Sequence, residues 1–154
     1  MAKTENRRSA TSGRTRAAGA KARATSGREP APGGREKWTG EVGTAVRAAL
    51  DKKASDVVIL DLRNTPAFTD FFVLCSGQST RQVKAIVDGV EETLRAEKIR
   101  PAHVEGYDRA EWILMDYFTF IVHVFTPQTR AFYSLERLWG NAERIEVSED
   151  SPPP

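Results

Sequence analysis

The side chains best equipped for chemistry are few: His103, His123, Cys75 and the carboxylates Asp56, Asp61 and Asp116. A catalytic metal needs three or more ligands converging on one point, and two well-separated histidines with scattered carboxylates carry no HExxH or comparable spacing. Asp56 and Asp61 sit on one β-branched run but point to different faces, so they do not form a two-metal pair. Cys75 with His123 would be a nucleophile and base, yet Cys75 lies within an apolar strand, where a free thiol is packing rather than a thiolate. Ser76-Gly77-Gln78-Ser79, at a strand-to-helix junction, offers backbone donors to an anion but lacks the lysine and the glycines of phosphate-binding loops. Helix capping already accounts for it. The sequence predicts no catalytic residues, no metal site and no cofactor.

The elements that would position these residues belong to one domain in a chain of 154 residues. Its formal charge of +2 hides an asymmetry. Residues 1–37 hold ten Lys/Arg against three Asp/Glu, whereas the remainder holds 13 against 18. A basic arm precedes an acidic globule. The arm, whose first 36 residues lack Val, Ile, Leu and Phe, cannot offset the roughly 1–2 kcal/mol per residue that ordering its backbone costs. It is expected to be disordered, either a solubilising tail or a salt-dependent, nonspecific contact to RNA. No aromatic is interleaved with its charges for base stacking. Its five Gly and two Pro oppose the amphipathic helix of an organelle transit peptide. No apolar run reaches the ~20 residues that span a bilayer, so no membrane partner is expected. A single cysteine excludes an internal disulfide.

From Trp38 the periodicity changes. Trp38, Val42, Ala45, Val46, Ala49 and Leu50 form a helical stripe. Asp56–Leu62 reads as a buried strand and Phe68–Cys75 as a second. Ser79 and Gln82 have capping-box spacing, and Val83, Ile86, Val87, Val90 and Leu94 repeat on one face of the helix they open. His103–Glu105 reads as a short edge strand. Glu111–Tyr117 and Phe120–Phe125 are two further strands. Thr126 and Pro127 then read as N-cap and first position of a third helix, expected to carry Phe132, Leu135, Leu138 and Trp139 inward and to stop at Gly140. The fold class is α/β: a single compact domain, residues 38–147, with a mixed sheet of about five strands and three helices, and a flexible tail at 148–154.

Side chains alternate across a strand. If the last two strands pair through a tight turn at Phe118-Thr119, Ile113, Met115, Tyr117, Phe120, Val122 and Val124 share an apolar face fit for covering helices. The opposite face carries Trp112, Leu114 and Asp116 beside Ile121, His123 and Phe125. Three helices cover one face of such a sheet well and the other poorly, which leaves these six residues as the expected protein-binding patch. Coverage of both faces, with His123 as a satisfied core histidine, is the alternative. An open face also leaves room for a homodimer.

The run ASDVVILDLRNTPAFTDFFVLCSGQSTRQVKAI, from Ala54 to Ile86, and the run WILMDYFTFIVHVFTPQTRAFYSLERLWGNA, from Trp112 to Ala142, resemble in order and spacing the two halves of the ribosomal silencing factor (Iojap-like) domain. The resemblance covers roughly residues 38–147. It implies a nucleotidyltransferase-like fold without that enzyme's catalytic carboxylates. It further implies a non-enzymatic translational repressor, in a bacterial-type cytoplasm, that binds the large ribosomal subunit through the universal ribosomal protein fourteen. That position blocks joining of the small subunit. The family's contact strand falls here on Trp112, Leu114 and Asp116, and its strand-five histidine on His123. One departure stands out: Phe118 and Thr119 occupy the turn where the family has a Gly-Asp type, and neither favours positive φ. Two other readings stay open on the residues alone, a nucleotidyltransferase-like enzyme and an RNA-binding protein led by its arm.

Overall fold

The computed structural model describes residues 40–147; the arm, Trp38 and the 148–154 tail lie outside the described residues. The elements are α1 (Glu41–Asp51), β1 (Ser55–Asp61), β2 (Phe71–Ser76), α2 (Thr80–Ala96), β3 (His103–Glu105), β4 (Trp112–Asp116), β5 (Phe120–Phe125), α3 (Pro127–Tyr133), the single-turn α4 (Leu135–Leu138) and β6 (Glu143–Val147). They build one mixed sheet in the order β3-β4-β5-β2-β1-β6. Every pairing is antiparallel except β2 with β5.

The β4–β5 register is the one that the alternation required: Trp112 opposite Phe125, Leu114 opposite His123, Asp116 opposite Ile121. On the other face Ile113, Met115, Phe120, Val122 and Val124 are fully buried and Tyr117 nearly so, packed with the stripes of α1 and α2. Burial of each such side chain is worth about 1.5–3 kcal/mol, so a one-residue slip that turned all six outward would cost on the order of 10 kcal/mol. The register is fixed by that term.

Capping ties the two long helices together. Ser79 Oγ accepts from Gln82 N at 3.1 Å, while the Gln82 carboxamide accepts from Gln78 N at 2.7 Å and donates to the carbonyls of Lys52 and Lys53 at the end of α1. A Cβ on Gly77 would come within 2.9 Å of Val83 N, so close packing explains that glycine. The Ser76–Ser79 segment is structural.

Three expectations are corrected. A sixth strand, β6, pairs with β1; its inward Ile145 and Val147 alternate with the exposed Arg144 and Glu146. The second strand starts at Phe71, and Phe68 is fully exposed in the preceding loop. The third helix breaks at Ser134, whose φ of 49° ends α3 and starts α4. The break resets the helical phase: Leu135 is buried and Trp139 packs on the second face, but Phe132 is 79% exposed and Leu138 is 70% exposed.

Candidate partner-binding face

The second face of the sheet is covered unevenly. Leu135 and Trp139, carried by α4 and the turn after it, seal Val58, Leu60, Phe72 and Leu74 on β1 and β2. The Trp139 and Phe72 rings meet edge-on at 5.9 Å. Arg130 pins the short helices in place. Its guanidinium donates to the Asp56 carbonyl at 2.7 Å, to Ser76 Oγ at 3.0 Å and to Glu136 at 2.7 Å. Its acceptor at Asp56 is presented by a bulge in β1, where Asp56 takes a φ of 51°. The cleft of about 750 Å³ beside this staple is lined by Arg130, Glu136, Arg144 and Glu146, whose opposite charges pair with one another.

Beyond β2 the cover thins to the Tyr133 ring at the end of α3. Trp112, Leu114, Asp116 and Ile121 are half-buried, whereas His123 and Phe125 are buried. The six predicted residues therefore share one face, but to different depths, with His123 and Phe125 buried against the half-buried Trp112. The Trp112 indole stacks on Phe125 at 5.1 Å and touches the Tyr133 ring at 4.7 Å. Its Nε1 donates to His123 Nδ1 at 3.0 Å. Burial holds the imidazole pKa down at about 3, so His123 is neutral at physiological pH. The exposed rings of Phe132 and Tyr133 border the patch at its Trp112 end. Phe132 and Tyr133 were missed as surface residues because helical periodicity was carried unbroken through Ser134.

The far end of the patch is the β4–β5 turn. Phe118 takes a φ of 71°, and Thr119 N donates to the Tyr117 carbonyl at 2.9 Å. A positive φ at the centre of a two-residue-apart hydrogen bond is the rare, strained form of γ-turn. Asp116 holds it from inside, accepting from Phe118 N at 2.8 Å, and Thr69 Oγ1 donates to the Phe118 carbonyl at 2.8 Å. Asp116 is thus tied to its own turn, and the Phe118 ring is 68% exposed near the loop that bears Phe68. A bulky residue in this region costs roughly 1–2 kcal/mol, partly offset in a glycine variant by unfolded-state entropy. Phe118→Gly is expected to raise stability by about 1 kcal/mol in urea unfolding; a destabilised variant would contradict the strain.

The side chains that suggested chemistry are otherwise engaged. Asp61 accepts two bonds at 3.0 Å from the Arg63 guanidinium. Cys75 is fully buried and its pKa is pushed up to about 12 by burial. Because Leu74, not Cys75, lies opposite His123 in the parallel pairing, the thiol and the imidazole point to opposite faces of the sheet. Among the described residues no group of three His, Cys, Asp or Glu side chains converges as metal ligands, and no helix is long and apolar enough to cross a membrane.

A family model described as "Ribosomal silencing factor during starvation" matches residues 36–154. The chain is 41% identical over 103 residues to the ribosomal silencing factor of Halalkalibacterium halodurans, covering 67% of this chain and 88% of that one. It is 38% identical over 103 residues to the ribosomal silencing factor of Bacillus subtilis, covering 67% and 87%. A crystal structure of a protein from Bacillus halodurans superposes with a TM-score of 0.60 at 38% identity, over 68% of this chain and 94% of that one.

Proposed function

The chain belongs to the ribosomal silencing factor family, and from that premise we propose that it represses translation by binding the large ribosomal subunit through the universal ribosomal protein fourteen and blocking attachment of the small subunit. The observation that carries this reading is the half-open sheet face. Trp112, Leu114 and Ile121 present a half-buried apolar surface, touched at the indole by the Tyr133 ring of α3 and rimmed by the exposed rings of Phe118 and Phe132.

Repression of this kind needs no bond to be made or broken. It needs an interface of about 1,200–2,000 Å² placed where the other subunit must dock. An aromatic cluster around a Trp is the composition that anchors such interfaces, and the engagement of Asp61 by Arg63 and of Asp116 by its turn fits a role without catalysis. The site of action is the cytoplasm, where ribosomal subunits of the bacterial relatives meet.

Subunit joining tests the proposal. Purified full-length protein added to separated bacterial subunits is expected to shift sucrose-gradient profiles from joined ribosomes to free subunits, and to travel with the large one. Joined ribosomes at undiminished levels under saturating protein would refute steric repression. Removal of residues 1–36 is expected to weaken binding mainly at low salt, as for a phosphate-tracking arm. Near-complete loss at physiological salt would make the arm the primary contact.

A further inference from the structure

The indole at the centre of the face has its one polar atom already committed. Trp112 Nε1–H donates to His123 Nδ1 at 3.0 Å, an acceptor on a fully walled imidazole that is 3% exposed. The imidazole is itself held by rings: Phe72 at 4.5 Å and 73°, Phe125 at 6.1 Å and nearly parallel. Since Nδ1 accepts, the imidazole proton sits on Nε2, which is buried and has no hydrogen-bond partner. Leaving a buried donor unpaired is unfavourable, so the arrangement persists only because something else specifies the ring's place. Packing of Phe72 and Phe125 does so, and the lone pair at Nδ1 is what the arrangement delivers.

From this geometry we infer that His123 is a positioning residue: its Nδ1 lone pair fixes the Trp112 indole with its N–H turned inward, so that the partner meets only indole carbon and must supply an apolar pocket without a hydrogen-bond acceptor. The inference rests on the reading of Trp112 as the anchor of the partner interface and deepens it. The histidine works one layer below the contact. A side chain of similar size without an acceptor at that place releases the indole to its other rotamers, and the partner then selects a minor fraction of them, which weakens binding in proportion to that fraction. Asparagine, whose Oδ1 reaches much the same point as Nδ1, restores the acceptor.

The test uses the full chain and purified large ribosomal subunits. Affinity is measured for the wild type, Trp112→Ala, His123→Leu and His123→Asn, with the Trp112 indole N–H followed by nitrogen-edited NMR of the free proteins. The expected result is a His123→Leu loss of about ten-fold, a displaced and exchange-broadened Trp112 indole resonance, and recovery of both in His123→Asn. Wild-type affinity in His123→Leu, with Trp112→Ala still defective, would overturn the positioning role and leave the docking face standing. Wild-type affinity in Trp112→Ala would overturn the reading of Trp112 as the anchor, and the positioning role with it. Should His123→Leu fail to fold, the wild type decides alone: imidazole nitrogen shifts are expected to show the proton on Nε2, and a proton on Nδ1 would overturn the inference.

Discussion

Trp112→Ala is expected to fold and to bind large ribosomal subunits roughly 30- to 1,000-fold more weakly than the wild type, the loss that corresponds to about 2–4 kcal/mol at an interface anchor. The indole combines the features of such an anchor. It is half-buried, stacked on Phe125, flanked by Tyr133 and held by one hydrogen bond. The same substitution removes the donor from His123 Nδ1 and thins the packing on Phe125, so a stability loss is expected alongside. Circular dichroism and a urea melt separate the two effects, because the folded variant at low temperature still lacks the anchor. Leu114→Arg gives an independent check at a half-buried neighbour: it places a charge in the centre of the patch, where interfaces exclude charge. Affinity within a factor of two of the wild type in both variants would remove this face from the binding mechanism.

The second large effect is an acid-side loss of stability caused by His123. In the folded protein burial lowers its pKa from 6.5 to about 3, while in the unfolded chain it titrates near its ordinary value. Between those two values the unfolded state binds a proton that the folded state refuses. The contribution is therefore complete above pH 6.5 and is lost as pH falls towards 3, for a total of several kcal/mol. Glu136, held below the usual carboxylate range by Arg130 against its own desolvation, adds a loss that starts only below its ordinary value of 4.5. The slope between pH 6.5 and 4.5 thus reports His123. Urea melts at several pH values are expected to show that slope in the wild type and a flat response in His123→Asn. An equal slope in both would assign the acid sensitivity elsewhere.

That the six candidate residues share one face was legible because a strand's two faces are coupled by a period of two. Once Ile113, Met115, Val122 and Val124 are needed inside, Trp112, Leu114, Asp116, Ile121, His123 and Phe125 have nowhere to lie but the other face. Periodicity does not report how deep that face is covered. The cover comes from α3 and α4, and their aim is set by one left-handed residue, Ser134, and one tertiary staple, Arg130 to the bulged Asp56 carbonyl. Neither leaves a mark in local spacing, so Phe132 and Leu138 were expected inside and Tyr133 was not expected over the indole. β6 was missed for a different reason. Its five residues carry only Ile145 and Val147 as apolar positions, a pattern too short to stand without its partner β1.

The Phe118 turn belongs to the same lesson. Sequence correctly marks Phe118-Thr119 as a poor pair for positive φ, and the structure places Phe118 at 71° all the same. What overrides the local preference is the bond from Thr69, 49 residues away in the chain, together with the local bond to Asp116. Strain retained at an exposed aromatic on the rim of the proposed docking face fits use of that ring by a partner.

The most direct measurement is photo-crosslinking from the centre of the face. A benzophenone amino acid at position 114, in otherwise full-length protein bound to large subunits, is expected to form its principal crosslink to the universal ribosomal protein fourteen, identified by mass spectrometry. Crosslinks only to ribosomal RNA or to other proteins, with binding intact, would contradict the account.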